Sequence, residues 1–547
     1  MRSRHVRRRG MGLAAHRHGR EDWSGAVCVG LPAVGRDLAA VEMPPGLNGQ
    51  GADMSTALHE HNLKKNILAV SIVGFAVVLG SAIALGSSSK WTLAIAVFAA
   101  VLPLMVRAMR SLEKPLFLGL VFFMATPYDI NPWIRRGYGN TVLEPGITIK
   151  ITAVFLAALV FIWISRVLWR KTAVDWFAPV MLPLGVLVAW GIFSLTFATY
   201  PEFTADRIPG LLTSFFLVLF MANYIDSAEK ARFVMTCMAL TAGFSGLLAI
   251  LQYVTVAVLG LNILGSPEDF WVVGSEMIRA RGLMGHPNDL GLIFVGMLPA
   301  LGLFGVARLE PRFKALCLGA FILGFIALLT TLSRGSWIGF FLAIMVIIAL
   351  SQRSFSRRRL RGAFVMLAIL IPLLGMMAAP FAGTIVNRLS SDESDAAQSR
   401  IPLAKSALKV IQANPVEGVG LGNYKQVVLE YDPGVMIGGE DDGPLAAHNM
   451  LLYLAAELGI PALVLFLFAC TSLFFKGLRG IRTRLAEINL LCLGTFAGLA
   501  GIFASSMFED VSFGGTRFQY MCFLAGIVLG CSRFARYGGA ERSVRRP

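Results

Sequence analysis

The sequence predicts an all-α polytopic membrane protein: about fourteen transmembrane helices and one long outer-face loop that contains a short amphipathic helix. Three observations predict it. Of the 547 residues, 56% are hydrophobic. They gather in runs of roughly 20, the length a helix needs to cross a bilayer, and helices are the spanning structure that satisfies its own backbone within one such run. The connections between the runs also alternate between basic-rich and basic-poor, as the two sides of a membrane require.

Residues 1–60 are rich in Arg, His and Gly and have no periodicity. They read as a disordered tail, or as upstream sequence included by a wrong start, with Met54 as the start. They have no apolar stretch followed by a small-residue cleavage site, so they do not read as a signal peptide. The spans then fall at 66–86, 91–106, 115–129, 147–165, 176–198, 207–225, 233–262, 288–307, 315–332, 335–350, 362–382, 449–475, 488–508 and 518–532. These group as an N-terminal bundle (61–262), central helices with an outer loop at 263–287 (263–382), the long loop (383–447), C-terminal helices (448–535) and a tail (536–547). Cys237, Cys317, Cys470, Cys492, Cys522 and Cys531 lie in spans and Cys28 lies outside them, so no disulfide framework or metal-ligand spacing appears.

The net charge of +16 is a topology signal. One set of alternate connections reads RAMRSLEK, RVLWRK, DSAEKAR, RLEPRFK, SQRSFSRRRLR and KGLRGIRTRLAE, with 20 Lys and Arg in short loops. The other set is longer and less basic. The positive-inside rule puts the first set and both termini in the cytoplasm. Anionic membrane lipid is then the partner of the basic excess, and nucleic acid is not. The long loop lies on the periplasmic or extracellular face, where ATP and nucleotide sugars are unavailable. Transfer chemistry there needs a donor already activated and membrane-bound.

Basic residues on the outer face run against the topology rule. They include Arg279, Arg281, Arg334, Arg388, Arg400, Lys405, Lys409, Lys425 and Arg517. Arginine binds phosphate oxygens bidentately and stays charged, so several of them suit a lipid-linked pyrophosphate. Taken singly, each also reads as a headgroup contact or a salt bridge. Within the long loop, SRIPLAKSALKVIQANP spaces Ile401, Ala404, Leu408 and Ile411 as one apolar face of an amphipathic helix lying on the outer surface. Asn414-Pro415 ends it. The glycines of VEGVGLGNY lack the strand and helix frame of a phosphate cradle and read as a tight turn. Asp392, Glu393, Asp395, Glu440, Asp441 and Asp442 read as a solvated acidic stretch, with a divalent cation as the other reading.

His448 ends the long loop. An imidazole suits proton abstraction near neutral pH, but a lone histidine here is as readily a helix cap. Glu457 lies nine residues on, roughly 13 Å deeper along the helix and on its opposite face; such a buried charge needs a partner. His286, before Pro287-Asn288, reads as part of a helix-entry turn.

Four segments together resemble the O-antigen ligase and O-antigen polymerase superfamily of bacterial cell-surface glycan enzymes. RGLMGHPNDLG is similar to its Arg-x-x-Gly…Pro-Asn segment, and TLSRGSWIG to its Ser-Arg-Gly turn. SRIPLAKSALKVIQANPVEGVGLGNY is similar to its Arg-bearing loop helix, and HNMLLYLAAELGIPA to its His-Asn signature. The resemblance spans roughly residues 230–510. It implies transfer of a glycan from undecaprenyl pyrophosphate to an acceptor hydroxyl, on a glycan or on lipid A-core, in lipopolysaccharide or exopolysaccharide assembly. It implies His448 as base, and Arg281 and Arg400 on the pyrophosphate; Arg334 is added as a further contact. The reaction implied is inverting and metal-independent, with no cofactor. The site is periplasmic in an inner-membrane protein, and chain-length or export proteins are further partners. A transporter or lipid-linked glycan flippase is the alternative, but transporters keep ionisable groups near the midplane, whereas here most charges sit at the outer mouth.

Overall fold

The computed structural model describes residues 112–126, 129–130, 149–171, 173–261, 271–273, 277–354, 394–434, 446–483 and 485–537. All lie within one unit, residues 74–547. The predicted spans at 66–86, 91–106 and 362–382, the N-terminal tail, Cys28, Arg388 and the acidic residues at 392, 393 and 440–442 fall outside the described residues.

Thirteen helices are described. They are α1 (Glu113–Met124), α2 (Ile151–Arg170), α3 (Ala178–Phe193), α4 (Pro201–Tyr224), α5 (Ala228–Gln252), α6 (Pro287–Val306), α7 (Pro311–Thr330), α8 (Arg334–Ser354), α9 (Ser394–Ala413), α10 (Tyr424–Tyr431), α11 (Met450–Gly480), α12 (Ala486–Ser505) and α13 (Thr516–Tyr537). Nine of the described helices are long and apolar enough to cross a membrane, and the architecture is that of an all-α multi-pass membrane protein. Eleven of the fourteen expected spans have a described helix in their place. Two short antiparallel ribbons, β1 (Asp129–Ile130) with β2 (Ile149–Lys150) and β3 (Trp271–Val273) with β4 (Met277–Arg279), depart from the purely helical expectation. Both lie in connections, where backbone groups need partners that a helix does not supply.

Close packing in lipid rests on small residues. Helix α12 carries Gly494, Gly498 and Gly501 on one side; a Cβ at these positions would collide with Ala300 and Gly296 of α6 and with Gly339 of α8. The stripe lets α6 and α8 meet α12 backbone to backbone. Side chains with β-carbons there would push apart the helices whose ends carry the site.

The connections sort into two ends. At one end Glu113 pairs with Arg166, Arg232 with Glu487, and Lys230 with Asp226 at 2.6 Å. These are the connections richest in basic residues. At the other end Tyr200 N–H donates to Asn423, Lys150 reaches Thr516, Ser505 reaches Gly335, and Asn449 reaches Met507. This division is the alternation expected from the sequence.

The long-loop helix corrects one expectation. Helix α9 runs 20 residues, but Ile401 is 61% exposed and Leu408 44%. Its buried stripe is Leu403, Ala407, Val410 and Ile411, which pack with Val419, Tyr424, Val427 and Tyr453 into a small second core. Of the expected face, Ile411 is buried but Ile401 and Leu408 are not, and Leu403, Ala407 and Val410 take their place in the buried stripe.

Candidate functional site

The site lies where six segments of the second end meet. His448 precedes α11, and its φ is +46°, in the left-handed region. A non-glycine residue there is held against a cost of about 1–3 kcal/mol, and such residues cluster at functional sites. The flanks hold it. Asn449 caps α11 by accepting from the N–H groups of Leu451 (3.0 Å) and Leu452 (3.1 Å). Met450 N–H donates to Ser506 O at 3.0 Å, and Ala446 and Ala447 are buried. The imidazole is half-buried. Burial pushes its pKa below the ordinary value; Asp510 pushes it up, and Arg400, Lys425 and Arg517 push it down.

The connection between α12 and α13 supplies the acidic part. Glu509 is 5% exposed. Its two oxygens accept from Asn288 Nδ2, at 3.0 and 2.8 Å, and it lies 3.6 Å from Arg517. Burial raises its pKa, against the pull of Arg517, Asn288, Arg400 and Arg279. Arg517 also donates to Asp289 and to Asp510 O (2.6 Å). Asp510 lies 3.7 Å from Lys425 of α10.

The segment before α6 is pinned at several points. Arg279 is 6% exposed and donates to Thr331 O at 2.9 Å and to Asn288 Oδ1. Gln252 exchanges two 2.9 Å hydrogen bonds with the backbone of Gly282. Arg281 sits between these anchors, half-buried. His286 is a cap, as its sequence context implied: Nδ1 accepts from Asn288 N–H at 3.0 Å. Its pKa is pushed down to about 3 by burial first, then by Arg517, Arg279 and His448.

Of the predicted arginines, Arg400 is the one whose charge acts on His448. It is half-buried, lies 5.8 Å over the Phe508 ring, and its charge acts on both His448 and Glu509. Arg334 opens α8, and the following Gly335 sits against Glu509 Oε1. Arg281 and Arg334 are not among the largest charge influences on His448. Glu509 and Asp510, which no motif singled out, complete a network with Arg279 and with Asn288 and Asp289 of the Pro-Asn segment. The available signal was the acidic pair in EDVSFGGTR, beside a span and on the same side as the outer arginines.

The glycines of VEGVGLGNY are structural. Helix α11 breaks at Gly459 (φ +82°, ψ 171°). The loop pairs with the carbonyls freed there: Val419 N–H donates to Ala456 O (3.0 Å) and Gly420 N–H to Glu457 O (2.9 Å), while Ile460 N–H donates back to Pro415 O (2.8 Å). Trp190 Nε1–H takes Leu458 O at 3.0 Å. A Cβ at Gly418 or Gly459 would collide with the facing backbone. The segment is the tight turn expected, and it locks the helix that begins at His448.

Residues 319–467 match the family model described as O-antigen ligase. The match contains the Ser-Arg-Gly turn, the long loop and the His-Asn segment; Arg281 lies outside it. No curated protein sequence matches the chain.

Proposed function

We propose, from its membership of the O-antigen ligase/polymerase superfamily, that this protein is a membrane glycan transferase. It moves a glycan from undecaprenyl pyrophosphate to an acceptor hydroxyl, on a glycan or on lipid A-core. The reaction takes place on the outer face of the inner membrane, the face assigned to the basic-poor connections, with both termini cytoplasmic.

In this reading His448 takes the acceptor proton as the hydroxyl oxygen attacks the anomeric carbon. The bond from that carbon to the pyrophosphate oxygen breaks on the opposite side, with inversion. The leaving pyrophosphate stays on its lipid, where Arg400, Arg281 and Arg334 stabilise its growing charge. No metal is required in the step, because the arginines supply the positive charge.

The observation that carries the reading is His448 itself. It is a half-buried imidazole in a strained backbone conformation, with Asp510 on one side and the cations of Arg400, Lys425 and Arg517 around it. A base within reach of arginine charge is what transfer from an anionic leaving group needs. The test is a purified assay with lipid-linked oligosaccharide and acceptor. His448→Ala should abolish transfer and Arg400→Ala should lower it by about 100-fold, both while remaining folded. A His448→Ala variant with full activity would remove the base assignment. A single addition to lipid A-core marks a ligase, and a ladder of products marks a polymerase.

A further inference from the structure

The break at Gly459 divides α11 into two limbs. The first, residues 450–458, reaches from α12 to α3. Met450 N–H donates to Ser506 O at 3.0 Å, and Leu458 O accepts from Trp190 Nε1–H at 3.0 Å. At 1.5 Å per residue, the ends of this limb stand roughly 12 Å apart. The second limb, residues 460–480, returns to α12 at the end away from the site. There Gly477 sits against the Phe496 ring and Gly480 against Cys492, and the Phe474 and Phe496 ring centroids are 5.6 Å apart. The second limb and α12 therefore touch at one end and stand a limb's length apart at the other.

The wedge between them holds a cavity of about 570 Å³. Phe466, Cys470 and Phe474 of α11 form one wall, Leu499 and Phe503 of α12 the other, and Met521 of α13 lies at the back. The lining is apolar. Thr471 turns its hydroxyl away, donating to Leu467 O at 2.8 Å. Leu467 and Phe474 are exposed, and Leu499 and Phe503 are half-buried, so the cavity opens sideways between the two helices. In a bilayer that opening faces hydrocarbon. Water exclusion then gives no drive, and a chain in the wedge is held by close contact along its length.

The outer end of the wedge shows which chain fits it. Ser506, which receives the first limb, is two residues from Phe508, and Arg400 lies 5.8 Å over the Phe508 ring. His448 stands two residues before Met450, at the same end of that limb. A chain lying in the wedge comes out at the end of α12, beside the Arg400 guanidinium, and an anionic head on that chain complements it. We propose that the wedge between α11 and α12 seats the isoprenoid chain of the donor, which enters sideways from the bilayer and brings its pyrophosphate to Arg400. This rests on the reading of the protein as a transferase that uses a lipid-linked donor.

The experiment compares two donors that carry the same oligosaccharide pyrophosphate, one on undecaprenol and one on a single isoprene unit, with the full-length protein. Cys470 is half-buried and lies ten residues past Ile460, roughly 15 Å into the wedge, beyond the reach of the single unit. Cys470→Trp should raise KM for the undecaprenyl donor at least about 5-fold, the lower end of what overpacking costs, with little change in kcat. It should leave kcat/KM for the short donor unchanged. An unchanged KM for the undecaprenyl donor, or an equal loss with both donors, overturns the proposal.

A second measurement needs no variant and decides alone should Cys470→Trp not fold. Undecaprenyl phosphate with a diazirine near its phosphate end is photolysed with wild-type protein in phosphatidylglycerol vesicles. Label should appear in 466–475 and 496–503 and be displaced by unmodified undecaprenyl phosphate, but not by added phosphatidylglycerol. Label spread over other lipid-facing helices, or displaced by phosphatidylglycerol, overturns the proposal. Wild-type protein that transfers from neither donor would instead overturn the transferase reading, a separate result, and the labelling still decides whether the wedge takes the chain.

Discussion

The side-chain amide of Asn288 donates to both carboxylate oxygens of Glu509, at 3.0 and 2.8 Å, and its own oxygen accepts from Arg279. One amide thus ties the segment before α6 to the connection after α12. Asn288→Asp would set a second carboxylate against a buried one, and one of the two must then hold a proton. A raised carboxyl pKa means that the folded state binds more protons than the unfolded state. Stability then falls as pH rises from the ordinary carboxyl range through the raised value. The variant should melt several degrees below wild type at pH 7.5 and recover part of the difference at pH 5.5, as followed by thermal unfolding in detergent.

The pH dependence of transfer follows from His448. Burial, Arg400, Lys425 and Arg517 lower its pKa, and Asp510 opposes them. The neutral, proton-accepting form is present above that pKa and is lost as pH falls through it. The acid limb of kcat/KM should therefore lie below about 6.5, the ordinary imidazole value. Arg400→Ala removes one of the lowering cations. It should cost about 100-fold in kcat and move the residual activity's acid limb upward.

His286 gives a different signature. Its pKa of about 3 in the folded protein lies below the ordinary value of about 6.5, so the unfolded chain binds the extra proton first. The stability from the neutral ring is complete above the ordinary value and is lost as pH falls from there toward about 3. His286→Asn keeps a capping side chain and removes the titration. Its melting temperature should drop less than wild type between pH 7 and pH 4.5.

Gly459 is the most constrained position of α11. Its φ and ψ of 82° and 171° lie in a region that glycine alone occupies readily, and a Cβ would collide with Val416 O. Gly459→Ala should abolish assembly, read as loss of monodisperse protein on size exclusion. Ala462→Gly, three residues on in a helical stretch, should cost only about 1 kcal/mol.

Much of the bundle was legible because apolar run length and alternating basic connections follow directly from what a bilayer tolerates. The strands at 271–273 and 277–279 were not, because their two-residue alternation is too short to stand out in a loop. The face of α9 was misread because Ile401 and Leu408 are apolar yet exposed, while Ser406 and Ala407 are buried. In the candidate site, His448 and Arg400 were singled out by their motifs, and the Arg400 charge acts on His448. Glu509 was not, because its pairing with Asn288 is a contact across 221 positions of sequence.

The break at Gly459 bears on how the protein is made. Its clamp joins Trp190, the 415–422 loop and α11, and the surrounding site draws on residues from Arg279 to Arg517. During synthesis the loop leaves the ribosome before the helix it grips, and Arg517 follows both. No nascent fragment ending before α13 can hold the acidic segment in place. The candidate site is therefore a late product of biogenesis, and a chain that stops before Thr516 lacks the Arg517 that holds its acidic segment.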